Sequence, residues 1–172
     1  MVNDQLHIIM PVKDSIAIAE RAIHAIVDCG YTLCVYDDNS QIENAKHLDK
    51  LVEELHIKVV HLSDLTDHPS PNYRLVLQLA EQEALATSRH LLIVESDVII
   101  KADTLNRMLE EVQEGVGMVA AVTVNEEGEI KLIEYNISGF GYWVFMFTGQ
   151  KCFGEYTDEV IEYCVNRKKQ KR

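Results

Sequence analysis

Two carboxylates one residue apart close the most apolar short run in this 172-residue chain, at His90-Leu91-Leu92-Ile93-Val94-Glu95-Ser96-Asp97. Leu91 to Val94 has the length and composition of a strand buried on both faces, so Glu95 and Asp97 emerge where that strand leaves the core. Residues two apart on an extended chain point the same way, and two carboxylates aimed at one spot repel unless a cation lies between them. Oxygen donors without His or Cys suit a hard cation, Mg2+ or Mn2+, which takes one or two carboxylates and fills its remaining positions from phosphate and water. A second acidic segment, Cys34-Val35-Tyr36-Asp37-Asp38-Asn39-Ser40, and a third, Pro11-Val12-Lys13-Asp14, end earlier apolar runs in the same manner.

The elements that must position these groups alternate in type. Leu6 to Val12 reads as a strand, and Ala19, Ala22, Ile23, Ile26 and Val27 follow at helical spacing before Gly30. Thr32 to Tyr36 is a second strand; Ser40 and Glu43 form a capping-box signature for a helix buried through Leu48, Leu51, Val52 and Leu55. Ile57 to Leu62 is a third strand, after which Ser70 and Pro71 suit the N-cap and first position of a helix reaching Ser88. After the key strand come a helix over 101–115 and a fifth strand over Met118 to Val124. The pattern implies an α/β fold: a mostly parallel, Rossmann-like sheet with helices on both faces. Ligands of such sheets bind outside the carboxyl ends of the strands, near the point where strand order reverses, which gathers the three acidic ends into one candidate site. Neither a G-x-G-x-x-G nor a P-loop sequence is present, so a phosphorylated ligand would be held through a metal.

Composition bounds the function. The hydrophobic share of 47% and charged share of 26% are those of a globular domain, and the net charge of −12 excludes nucleic acid as the main partner. No run approaches the roughly 18 apolar residues of a membrane span. The four cysteines, Cys29, Cys34, Cys152 and Cys164, lack a C-x-x-C pattern and read as reduced thiols in a cytoplasmic protein. His61, like the other histidines, shows no ligand spacing and reads as core or surface.

Over residues 5–125 the chain resembles the donor half of the family 2 glycosyltransferases of GT-A fold. The resemblance rests on Pro11-Val12-Lys13-Asp14 for P-V-x-[ND], Val35-Tyr36-Asp37-Asp38-Asn39-Ser40 for V-x-D-D-x-S, and Glu95-Ser96-Asp97 for D-x-D, with Glu95 where the family usually has Asp. It implies a nucleotide-diphosphate sugar as donor, Asp37 or Asp38 at its base or ribose, Glu95 and Asp97 around a Mn2+ or Mg2+ ion and the sugar, and Asn72 to Arg74 near the diphosphate. Residues 1–125 form the donor half on this reading, and 126–172 an incomplete or divergent acceptor side of the same domain. The family's G-F-D-E and E-D-x-D segments have their nearest counterparts in Phe153-Gly154-Glu155-Tyr156 and Asp158-Glu159 onward, so Asp158 or Glu159 is the expected catalytic base toward an unknown glycan or lipid-linked acceptor, with inversion as the expected outcome. A polar face on a C-terminal helix is the structural alternative for those acids. The aromatic run Gly139 to Phe147 suits sugar stacking, core or a homo-oligomer contact. A donor-binding module without transfer activity stays open, as does a nucleotidyltransferase, although Pro11 to Ser15 lacks that class's glycine-rich loop.

Overall fold

The structure is a computed structural model that describes residues 5–114, 116, 118–121 and 144–147. A six-stranded sheet in the order β3-β2-β1-β4-β6-β5 organises it. Its strands are β1 (Leu6–Val12), β2 (Cys34–Asp37), β3 (Lys58–His61), β4 (His90–Val94), β5 (Met118–Ala121) and β6 (Val144–Phe147). Helices α1 (Ile16–Asp28), α2 (Ile42–Leu55), α3 (Tyr73–Thr87) and α4 (Thr104–Glu110) connect them, with a short 3-10 turn over Leu62–Asp64.

Strands β1 to β4 pair in parallel, with Ile9 opposite both Cys34 and Ile93. The mostly parallel α/β sheet expected from the sequence is present, and a strand the sequence did not reveal, β6, lies between β4 and β5, antiparallel to both. β5 therefore keeps the direction of β4 without touching it, and the intervening position is filled from much later in the chain. Local periodicity carries no information about that insertion.

Alternation along β1 distributes the core between two faces. Leu6, Ile8, Met10 and Val12 pack with Ala22, Ile23 and Ile26 of α1, Leu48 and Leu51 of α2, and Leu105 and Met108 of α4. Ile9, on the other face, joins Cys34, Tyr36, Leu91 and Ile93 against Val76, Ala80 and Ala84 of α3. Parallel strands covered on both sides are continuously apolar for this reason, and Ile9 and Leu92 are fully buried.

Helix ends account for the other differences. The end of α1 is a Schellman arrangement, with Gly30 N–H donating to the Val27 carbonyl at 2.8 Å and Tyr31 N–H to that of Ile26 at 3.4 Å, and Gly30 at φ +81°. Ser40 does not cap α2, whose N-cap is Gln41, because its hydroxyl instead accepts the Asp14 N–H at 2.8 Å. Ser70 and Pro71 do not begin α3 either; the N-cap is Asn72, and the Ser70 hydroxyl donates to Asp38. The helix expected over 101–115 is the shorter α4, since a turn closed by Thr104 N–H on the Lys101 carbonyl precedes it and another, from Val112 N–H to Leu109, follows it.

Candidate functional site

Strand order reverses between β1 and β4. The chain steps outward from β1 to β2 and β3, then returns to place β4 on the other side of β1. The crevice that such a reversal leaves at the carboxyl edge is bounded by Lys13 and Asp14 after β1 and by Glu95 and Asp97 after β4, with Asp37 and Asp38 one strand further out.

Glu95 is half-buried at the end of β4, and the Tyr73 hydroxyl donates to its Oε1 at 3.1 Å. Burial raises its pKa and the neighbouring charge of Asp97 adds to this, while the Tyr73 hydrogen bond opposes them. The Tyr73 hydroxyl is raised in turn, by burial first and then by Glu95, so it remains a donor at neutral pH. Asp97 is exposed. One half-buried and one exposed carboxylate with mutually unfavourable charge form a donor set that fits a hard divalent ion completed by phosphate and water; no group of three or more metal-ligating side chains stands ready among the described residues.

The acids of β1 and β2 use their acceptors within the protein. Asp14 takes the left-handed conformation at φ +52°, and its Oδ1 accepts from Gln41 N–H at 2.8 Å and Asn44 Nδ2 at 2.9 Å. These bonds, the Gln41 amide foremost, lower its pKa. Asp37 Oδ1 accepts the Ser40 N–H three residues on at 3.1 Å, closing the turn after β2, and its Oδ2 meets His61 Nδ1 at 2.8 Å. Asp38 accepts from Ser70 Oγ at 2.7 Å, Asn72 N–H at 2.9 Å and Asn72 Nδ2 at 2.8 Å. Burial alone would raise the Asp38 carboxyl; the Ser70 and Asn72 bonds outweigh it and hold the pKa below the ordinary value. Lys13 Nζ donates to the carbonyls of Asp38 and Asn39 at 3.3 and 3.2 Å, fastening the end of β1 to that of β2.

Pro11 is the penultimate residue of β1, opposite Tyr36, and Arg74 is exposed in the first turn of α3, whose amino end opens onto this same edge. Asp158 and Glu159 lie outside the described residues, as do Cys152, Cys164 and the aromatic segment up to Trp143. Cys29 and Cys34 are free thiols. Sequence reading missed Ser70, Tyr73 and His61 as partners of the acidic ends. Ser70 was singled out as a helix cap and Tyr73 lies within the segment expected near the diphosphate, whereas nothing local marks His61. A cleft of about 380 Å3 opens beside His61, lined by Asp37, Ser40, Ile42, Lys46 and Asp49; it lies toward β3 and does not include Glu95 or Asp97.

Comparison with known proteins bears on the family and the fold. The family model described as Glycosyl transferase family 2 matches residues 7–169. No curated protein sequence matches significantly. Among solved structures, TarS 1–349 of S. aureus is similar with a TM-score of 0.51 and 15% identity, covering 83% of this chain and 47% of that one. Glucosyl-3-phosphoglycerate synthase of Mycobacterium tuberculosis, solved with uridine diphosphate, has a TM-score of 0.47 and 16% identity over 66% of this chain and 42% of its own. GlyE of Streptococcus pneumoniae TIGR4 has a TM-score of 0.46 and 12% identity over 98% and 39%. The chain thus spans less than half the length of these three structures. With a family match along nearly its whole length and an acidic strand-end edge on an α/β sheet, the chain belongs to the family 2 glycosyltransferases, of GT-A fold.

Proposed function

We propose that this chain binds a nucleotide-diphosphate sugar at the crevice between β1 and β4 and transfers the sugar to an acceptor hydroxyl with the help of Mn2+ or Mg2+. The observation that carries the reading is the Glu95–Asp97 pair at the end of β4, beside the strand-order reversal, in a chain that matches the family model over residues 7–169.

Glu95 and Asp97 are the residues that would hold the ion. When bound, it supplies neutralisation of the diphosphate charge as the bond to the sugar breaks. Tyr73 keeps Glu95 oriented by its hydrogen bond. Arg74, at the amino end of α3, offers a cation to the diphosphate, and the positive end of the helix macrodipole favours an anion at the same place. Asp14 and Asp37 support the edge by tying down residues 40–44, and Pro11 sets the end of β1 against β2. Deprotonation of the acceptor needs a carboxylate within hydrogen-bond reach, a role assigned to Asp158 or Glu159, with inversion at the transferred carbon.

Calorimetric titration with UDP, GDP and ADP, each with and without Mn2+ or Mg2+, tests donor binding. The expected result is nucleotide affinity that requires the ion in the wild type and loses that requirement, together with most of its strength, in Asp97→Ala. Metal-independent binding unchanged in Asp97→Ala overturns the reading. Turnover of a nucleotide-sugar panel then separates a transferase from a donor-binding module, which would bind without consuming the sugar.

A further inference from the structure

We propose that Asp38 is a positioning residue for Glu95: acting through the segment Ser70–Tyr73, it fixes the carboxylate on which cation binding at the end of β4 depends. This rests on the reading of Glu95 and Asp97 given above and extends it to a residue from a different strand.

Asp38 follows β2 and is only 8% exposed. Its carboxylate accepts three hydrogen bonds, all from residues 70 and 72. A carboxylate offers about four lone-pair sites, so the protein itself fills most of them. Asn72, equally buried, also donates from Nδ2 to the His68 carbonyl at 3.1 Å, which fixes both its side chain and its backbone. The next residue is Tyr73, and its hydroxyl donates to Glu95 Oε1. The path Asp38–Asn72–Tyr73–Glu95 therefore runs from the end of β2 to the end of β4, past β1, with a single peptide link between its two sets of hydrogen bonds.

Geometry makes this path sensitive. The Tyr73–Glu95 contact is 3.1 Å, at the long end for a hydroxyl donor, so displacement of the Asn72 backbone away from Glu95 lengthens and weakens it. Glu95 without that bond regains rotamer freedom, and the cost of holding it in place moves to the moment of ion binding. Asp38→Asn is nearly isosteric and keeps one acceptor, yet it puts an amide where a carboxylate oxygen received a donor.

Mn2+ binding to the full chain, without UDP and again at UDP concentrations that saturate each variant, read from the loss of the free-ion paramagnetic resonance signal, tests the proposal apart from any change in nucleotide affinity. Asp38→Asn and Tyr73→Phe are each expected to weaken Mn2+ affinity by roughly tenfold, and the double variant by no more than the weaker-binding single one. Ser70→Ala, which removes one of the three bonds, should give a smaller loss in the same direction and serves if Asp38→Asn fails to fold. Multiplying losses in the double variant overturn the proposal, as does unchanged Mn2+ affinity in a folded Asp38→Asn or in Ser70→Ala. If the wild type binds Mn2+ and Asp97→Ala abolishes this while Asp38→Asn does not, only the positioning role fails. If the wild type binds no Mn2+, the cation reading of Glu95 and Asp97 fails and this role falls with it.

Discussion

Asp37 and His61 meet at the adjacent ends of β2 and β3, with Oδ2 2.8 Å from Nδ1, and the far nitrogen of the same ring lies 3.0 Å from Asp49 Oδ1 on α2. Burial alone would lower the pKa of His61, but the Asp37 bond and then the Asp49 bond outweigh it and raise the value above 6.5. A histidine whose folded pKa is raised contributes stability that is complete below its unfolded value and is lost as pH rises through the folded one. The wild type should therefore exceed His61→Ala by roughly 1–2 kcal/mol near pH 5.5, with the gap narrowing above pH 7. Urea denaturation of both proteins at a series of pH values measures this, and a gap that is constant from pH 5.5 to 8.5 contradicts it.

The role proposed for Glu95 sets function against stability. Its charge is buried beside Asp97, so Glu95→Gln should leave the ion-free protein as stable as the wild type or more stable by about 0.5–1 kcal/mol. The same variant should lose ion-dependent nucleotide binding. Melting curves without ion and titrations with it provide the two readings; a large fall in melting temperature would show that the Glu95 charge is structural.

Leu92 lies at the middle of β4 with no exposure to solvent. Replacing it by alanine removes three heavy atoms from a core that cannot collapse around a central strand. The expected loss is about 2–5 kcal/mol in chemical denaturation, with the slope of the transition unchanged.

Gly30 takes φ +81° at the end of α1, and a Cβ placed there would meet no atom within 4 Å. The cost of Gly30→Ala is therefore conformational rather than steric, about 1 kcal/mol. A much larger loss in the same denaturation assay would mean that the Schellman turn must rearrange.

What the sequence disclosed follows from the range of the forces involved. The apolar runs of β1 and β4 and the helical stripe of α1 express burial directly, so their existence and order were legible, as was the acidic edge of the candidate site that follows them. Hydroxyl capping was misread because Ser40 and Ser70 had better partners, Asp14 and Asp38, at sequence separations of 26 and 32. The role of His61 was hidden for the same reason, since Asp37 lies 24 residues away. The parallel order of β1 to β4 follows from crossover rules, whereas the place of β6 depends on pairing between residues more than 50 apart, such as Leu91 with Phe147.

That pairing has a consequence for the order in which a growing chain can finish its fold. Until residues 144–147 leave the ribosome, the side of β4 away from β1 lacks the strand that covers it, and β5 lacks its one strand partner among the described residues. The nascent chain then presents the backbone of Leu91 to Val94 as an open template for pairing with another molecule. Chaperones that shield extended apolar edges should therefore engage this polypeptide after β4 emerges and release it once β6 docks, and a pause in translation between those two points should raise the fraction that aggregates.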